Sequence, residues 1–89
     1  MYRLEVSPAA DRDLGRLKRR IQRRNFEQLR IAIRSLVDNP RPHGVRKIEG
    51  VERSYRIRVG DYRVVYEIHD KGSLVLILQV ARRTETAHR

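Results

Sequence analysis

Arg56, Arg58 and Arg63 flank Gly60-Asp61 within the stretch Ser-Tyr-Arg-Ile-Arg-Val-Gly-Asp-Tyr-Arg that begins at Ser54. Successive side chains of a strand point to opposite faces, so a two-residue turn at Gly60-Asp61 puts these arginines on one face of a hairpin. Glycine at the first turn position supplies the positive φ that a type II′ turn requires. In that register Arg58 faces Arg63 and Arg56 faces Val65. Like charges directly opposite each other repel, so the pairing weakens the hairpin by itself. A polyanion held between the guanidinium groups would offset the repulsion, and the planar fork of arginine matches phosphate oxygens. The intervening positions, Tyr55, Ile57, Val59, Tyr62, Val64, Tyr66 and Ile68, make a continuous apolar surface that must cover a core.

The charge of the whole chain points the same way. Its 89 residues carry 21 Lys and Arg against 11 Asp and Glu, a net charge of +10. An acidic partner is expected, with nucleic acid the commonest polyanion in a cell and an anionic membrane surface its competitor. Part of the excess is a dense run, Arg16, Lys18, Arg19, Arg20, Arg23 and Arg24, which reads as a solvated helix face and connecting turn that meets nucleic acid or an acidic protein. The absence of cysteine excludes disulfides, thiolate metal sites and a cysteine nucleophile. His43, His69 and His88 show no ligand spacing with the carboxylates, so neither a metal nor another cofactor is expected. No apolar run reaches the ~18 residues of a membrane span and no leader-like segment opens the chain, so a cytoplasmic location without a membrane partner is expected. Residues 1–89 are expected to form one domain.

The elements that position the arginines follow from the apolar spacing. Tyr2, Leu4 and Val6 alternate as in a short strand. Ser7-Pro8 reads as an N-cap and first helical residue, with Asp11 and Asp13 complementing the helix dipole and Ala10, Leu14 and Leu17 on one face. That helix is expected to end or bend shortly after Leu17. A second runs from Phe26 through Leu29, Ile33 and Leu36 to Val37, and Asn39-Pro40 stops it. Pro40 to Gly44 is a loop and Val45 to Val51 a linking segment. Beyond the hairpin, Asp70-Lys71-Gly72 turns the chain into Leu74–Leu78, apolar at every position as in a well-buried strand. With His69 facing Ser73, Ile68 pairs with Leu74, Tyr66 with Leu76, Val64 with Leu78 and Arg63 with Gln79. Val75, Ile77, Gln79, Ala81 and Arg83 then point outward, and Arg83 joins the arginine face. The expected class is α+β: one N-terminal strand, two helices, then an antiparallel meander whose apolar face the helices cover and whose arginine face stays open as a cleft.

The order strand, two helices, then "NPRPHGVRKIEG", "SYRIRVGDYRVVYEI" and "VARR" resembles the RelE-type toxins of the RelE/ParE toxin–antitoxin superfamily, over almost the whole chain. The resemblance implies a fold similar to small microbial ribonucleases and an endoribonuclease that enters the ribosomal A site, contacts mRNA and ribosomal RNA there and cuts the mRNA, inhibiting translation. It also implies an antitoxin encoded alongside; a homo-oligomer is not required. Arg56 and Arg58 fall where the family carries strand lysines or arginines at its cleft, and Arg63 and Arg83 fall on its phosphate-contacting arginines. Arg82 is expected beside Arg56 and Arg58 in holding substrate. Family members commonly end with a catalytic tyrosine a few residues after the second arginine. Here Arg82 to Arg89 contains none, and His88 stands near that place.

Metal-free cleavage of RNA has the ribose 2′-hydroxyl attack the adjacent phosphorus in line, leaving a cyclic phosphate and a free 5′-hydroxyl. It needs alignment, stabilisation of a phosphorane-like dianion, and a base and an acid. Fixed donors aimed at developing charge are the strongest single contribution, and Arg63 and Arg83 are the candidates. Arginine is a poor base because its pKa lies above ~12, whereas a histidine titrates near ~6.5, which makes His88 the candidate for proton transfer. The competing expectation is a protein without chemistry, either a ParE-like poison of DNA gyrase or a degenerate toxin that only binds nucleic acid and its antitoxin.

Overall fold

A computed structural model describes residues 1–83. The chain runs β1 (Arg3–Val6), α1 (Pro8–Arg20), α2 (Arg23–Ser35), β2 (Arg46–Lys47), β3 (Ser54–Val59), β4 (Tyr62–His69) and β5 (Leu74–Arg82). The strands form one five-stranded sheet in the order β1-β5-β4-β3-β2, antiparallel except where β1 runs parallel to β5, and both helices cover one face. The expected α+β class is borne out.

Local chemistry sets the helix ends. The Ser7 hydroxyl accepts from the Ala10 N–H at 3.1 Å and Pro8 occupies the first turn, a capped start in which the missing proline N–H costs nothing. α1 stops at Arg20, and α2 begins at Arg23, so the break expected beyond Leu17 comes three residues later. Ala10 and Leu17 from α1, with Leu29 and Ile33 from α2 and Leu36 just beyond it, are buried against Ile57, Tyr62, Val64, Tyr66, Ile68, Val75, Ile77 and Val80 of the sheet.

The hairpin register is the expected one. Val59 pairs with Tyr62, Arg58 with Arg63, Ile57 with Val64, Arg56 with Val65 and Tyr55 with Tyr66, and Gly60 takes φ +59. The β4–β5 register differs by one residue at its start. His69 pairs with Leu74 rather than Ser73, so Val75 and Ile77 face the core and are fully buried, while Leu74, Leu76 and Leu78 are only half-buried. A bulge then places Val65 opposite Gln79 and Tyr66 opposite Ile77, with Leu78 as the extra residue. Beyond it Val80 turns inward and Ala81, not Gln79, lies opposite Arg63. Asp13 of α1 accepts the Val80 N–H at 3.0 Å, fixing the helix against the strand just past the bulge. Val45 to Val51 also contains more than a link, since Arg46 and Lys47 pair with Arg56 and Tyr55 as the edge strand β2.

The loop after α2 is fastened to the far end of the sheet. The buried Tyr66 hydroxyl donates to the Pro40 carbonyl at 2.7 Å, and Arg41 pairs with Asp70 at 2.9 Å. The Tyr2 hydroxyl donates to the same carboxylate at 2.7 Å, tying β1, this loop and the β4–β5 turn together.

Candidate nucleic-acid interface

On the sheet face away from the helices, Arg58 and Arg63 form a cross-strand pair, and Arg46, Arg56 and Val65 form the row beside it. These residues, with Gly44, Lys47 and Ile48, line an open cleft of about 630 Å³. β3 and β4 supply the arginines because Ile57, Val64 and Tyr66 hold the opposite face against the helices. β2 supplies Arg46 because the strand edge beyond Arg56 is free to pair.

Among the described residues no carboxylate lies within ion-pairing distance of Arg46, Arg56, Arg58 or Arg63. The Arg56 guanidinium is held below its usual value, first by desolvation and then by the charges of Arg58, Arg63, Arg46 and Arg83. Arg63 is half-buried, and its Nε is buried without a hydrogen-bond acceptor in the described structure, an arrangement that costs roughly 1–3 kcal/mol. The fold concentrates positive charge here, and no carboxylate among the described residues pairs with it.

Arg83 follows β5; its N–H donates to the Asp61 carbonyl at 2.9 Å and its charge bears on Arg56, but it is not among the residues that line the cleft with Arg46 and Arg63. Arg82 is not brought to the cleft. It pairs with Tyr62, whose side chain faces the helices, and its guanidinium lies 5.9 Å from the centre of that ring. Alternation along β5 dictates this: Ala81 lies opposite Arg63 on the cleft face, so Arg82, the next residue, takes the other side with Tyr62. His88 lies outside the described residues.

Sequence reasoning missed Arg46. The signal was Gly44 and Gly50 bracketing Val45 to Ile48, since both take positive φ (+90 and +81) and turn the chain at either end of the two-residue strand. Lys47 borders the cleft, but its ammonium lies over Tyr55, 5.3 Å from the ring centre, with the Arg41 guanidinium 5.2 Å from the same ring. His69 is also on the cleft face of β4, but at its far end, bonded to Glu67 at 2.7 Å. Among the described residues no group of His, Asp and Glu is arranged to hold a metal ion, and no helix is long and apolar enough to cross a membrane.

A family model described as the ParE toxin of the type II toxin–antitoxin system parDE matches residues 4–87. The chain belongs to the RelE/ParE superfamily of toxins. It is 35% identical to Toxin RelE of Mycobacterium tuberculosis over 83 residues, covering 93% of this chain and 82% of that protein. The archaeal RelE–RelB complex of Pyrococcus horikoshii contains a similar chain, with 26% identity, a TM-score of 0.76, and coverage of 92% of this chain and 94% of that one. A chain of the toxin–antitoxin complex RelBE2 of Mycobacterium tuberculosis gives 25% identity and a TM-score of 0.74, covering 92% and 98%. The protein is a RelE-type toxin of a toxin–antitoxin module.

Proposed function

We propose that this toxin is an endoribonuclease that cuts mRNA in the ribosomal A site and so stops translation. The observation that carries the reading is the arginine cleft, with which no carboxylate among the described residues pairs: Arg58 directly opposite Arg63, with Arg56 and Arg46 in the adjoining row. Arg56 and Arg58 hold the RNA backbone. Arg63 and Arg83 stabilise the charge that grows on phosphorus as the 2′-oxygen bonds to it and the 5′-oxygen leaves. The proton released by the 2′-hydroxyl passes to a base, and the departing 5′-oxygen takes one from an acid. His88 is the candidate for proton transfer that the sequence provides. With no stronger base, alignment of the 2′-oxygen, phosphorus and leaving oxygen carries much of the rate, and such alignment is worth ~7–11 kcal/mol. A ribosome presenting bent mRNA supplies it.

The antitoxin is a protein whose segments cover the cleft, in keeping with the RelE–RelB complexes formed by the relatives. The family model carries the ParE description, which supports a second reading, a gyrase poison without nuclease chemistry. Primer extension on mRNA from translating extracts separates the two. Cuts at A-site codons are expected; an intact message, with gyrase-dependent DNA breaks in their place, would overturn the nuclease reading.

A further inference from the structure

Arg82 closes β5 and Arg83 follows it, and a single extra residue decides which of the two lies against the helices. Ile77 faces Tyr66 in the core, so strict alternation from there would turn Gln79 and Ala81 inward. Val80 would then stand opposite Arg63, and Arg82 would take the open side. The bulge reverses this order. With Leu78 unpaired, Val80 goes in opposite Val64, Ala81 comes out opposite Arg63, and Arg82 lies against the Tyr62 ring. Arg83 is carried to the Gly60-Asp61 turn, where its N–H meets the Asp61 carbonyl at 2.9 Å and its charge bears on Arg56.

Burial of Val80 in place of Gln79 favours the bulged register, but it turns the Val80 N–H away from β4 at a point where β1 has already ended, its last pair being Val6 with Ile77. The start of α1 fills that gap. The Ser7 N–H donates to the Ile77 carbonyl at 2.9 Å, the Ser7 hydroxyl donates to the Leu78 carbonyl at 3.3 Å, and the Asp13 carboxylate accepts the Val80 N–H at 3.0 Å. These three bonds bracket the extra residue. Asp13 is the charged member of the set, and a charged acceptor makes the stronger hydrogen bond. Its side chain is only 17% exposed, and its other oxygen takes Arg16 at 2.8 Å. Asp13 stands beyond the first turn of α1, so the helix dipole gains less from it than from Asp11. The bond to Val80 is the contact that gives a carboxylate at this place a use.

We propose that Asp13 is a positioning residue for Arg83: by holding the Val80 N–H it fixes the bulge at Leu78, and the bulge keeps Arg82 on Tyr62 and presents Arg83, rather than its neighbour, to the substrate phosphate. The bearing on cleavage rests on the nuclease reading; the register that Asp13 fixes does not.

The test joins NMR spectra of the full chain to cleavage rates. Val64–Val80 and Tyr62–Arg82 are cross-strand pairs of the kind that exchange no hydrogen bonds, so their Hα atoms lie close enough for nuclear Overhauser contacts. The wild type and Asp13→Asn, which keeps an acceptor, should show both contacts and cut RNA at similar rates. Asp13→Ala should weaken both, bring in contacts from Val64 to Gln79 and from Tyr62 to Ala81, and lower kcat at least about tenfold with KM little changed. Deleting Leu78 gives regular pairing with every other residue of β5 on its present side. In that chain Asp13→Ala should cost less than about threefold. Unchanged contacts in Asp13→Ala, or the same loss of cleavage with and without Leu78, would overturn the proposal. Should Asp13→Ala fail to fold with Leu78 present, folding and cutting restored by the deletion support the proposal, and failure in both chains overturns it. The Hα contacts do not depend on cleavage, so a wild type that cuts no RNA would sink the nuclease reading while the spectra still decide the register.

Discussion

Arg58 and Arg63 stand opposite each other across β3 and β4, with no carboxylate among the described residues to compensate either. A fold selected for stability alone would not keep this pair. Arg58→Gln is therefore expected to stabilise the toxin by about 0.2–1 kcal/mol while lowering RNA cleavage at least tenfold. Thermal melts at low and high salt check the cause. Salt should raise the melting temperature of the wild type more than that of the variant, because the repulsion being screened is absent from the latter.

Arg82 and Arg83 are neighbours in sequence, but Arg82 lies against the Tyr62 ring while the charge of Arg83 bears on Arg56, so they should separate in function. Arg83→Ala is expected to lower cleavage by at least a hundredfold with the melting temperature little changed. Arg82→Ala should remain toxic and cost at most ~1 kcal/mol from its lost contact with Tyr62. Growth arrest on induction, measured beside thermal melts, distinguishes the two.

Tyr66 fastens the loop after α2. Tyr66→Phe strands the Pro40 carbonyl and should lower stability by about 1–3 kcal/mol at neutral pH. Burial pushes the Tyr66 phenol up to about 12 from 10.0. The unfolded chain therefore ionises first, and the stability linked to the neutral phenol is complete below pH 10 and lost as pH rises toward 12. Denaturant titrations between pH 8 and 12 should show a smaller alkaline loss in the phenylalanine variant.

Asp70 works in the other direction. The hydrogen bond from Arg41, then that from Tyr2, holds its carboxyl below the usual value. Its contribution is present above the ordinary carboxylate pKa and disappears as pH falls through the lowered one. Asp70→Asn should be less stable than the wild type at pH 7, and the two should converge in acid titrations once the pH has fallen through the lowered carboxyl pKa.

How much of this was legible beforehand depended on local signals. Gly60-Asp61 fixed the hairpin because a two-residue turn leaves one register, and that register put Arg56, Arg58 and Arg63 together. Leu74–Leu78 carried no such signal. Every residue in it is apolar, so period-two alternation could not say which side faces the core, and the bulge at Leu78 shifted the pairing again. The two changes of register account for Val75 and Ile77 being inside and for Ala81 lying opposite Arg63 in place of Gln79. The parallel pairing of Arg3 with Leu74 joins residues far apart in the chain, and no local pattern announces it. Arg46 escaped notice because a two-residue strand is too short to show any period.

The most direct measurement is of the cut RNA itself. Fragments from translating extracts treated with the wild type should accept a labelled phosphate at their 5′ ends without prior phosphatase treatment, the mark of a free 5′-hydroxyl, and Arg63→Ala/Arg83→Ala should give no fragments. Equal cutting by the double variant, or 5′-phosphate ends from the wild type, would contradict the arginine-assisted 2′-hydroxyl attack.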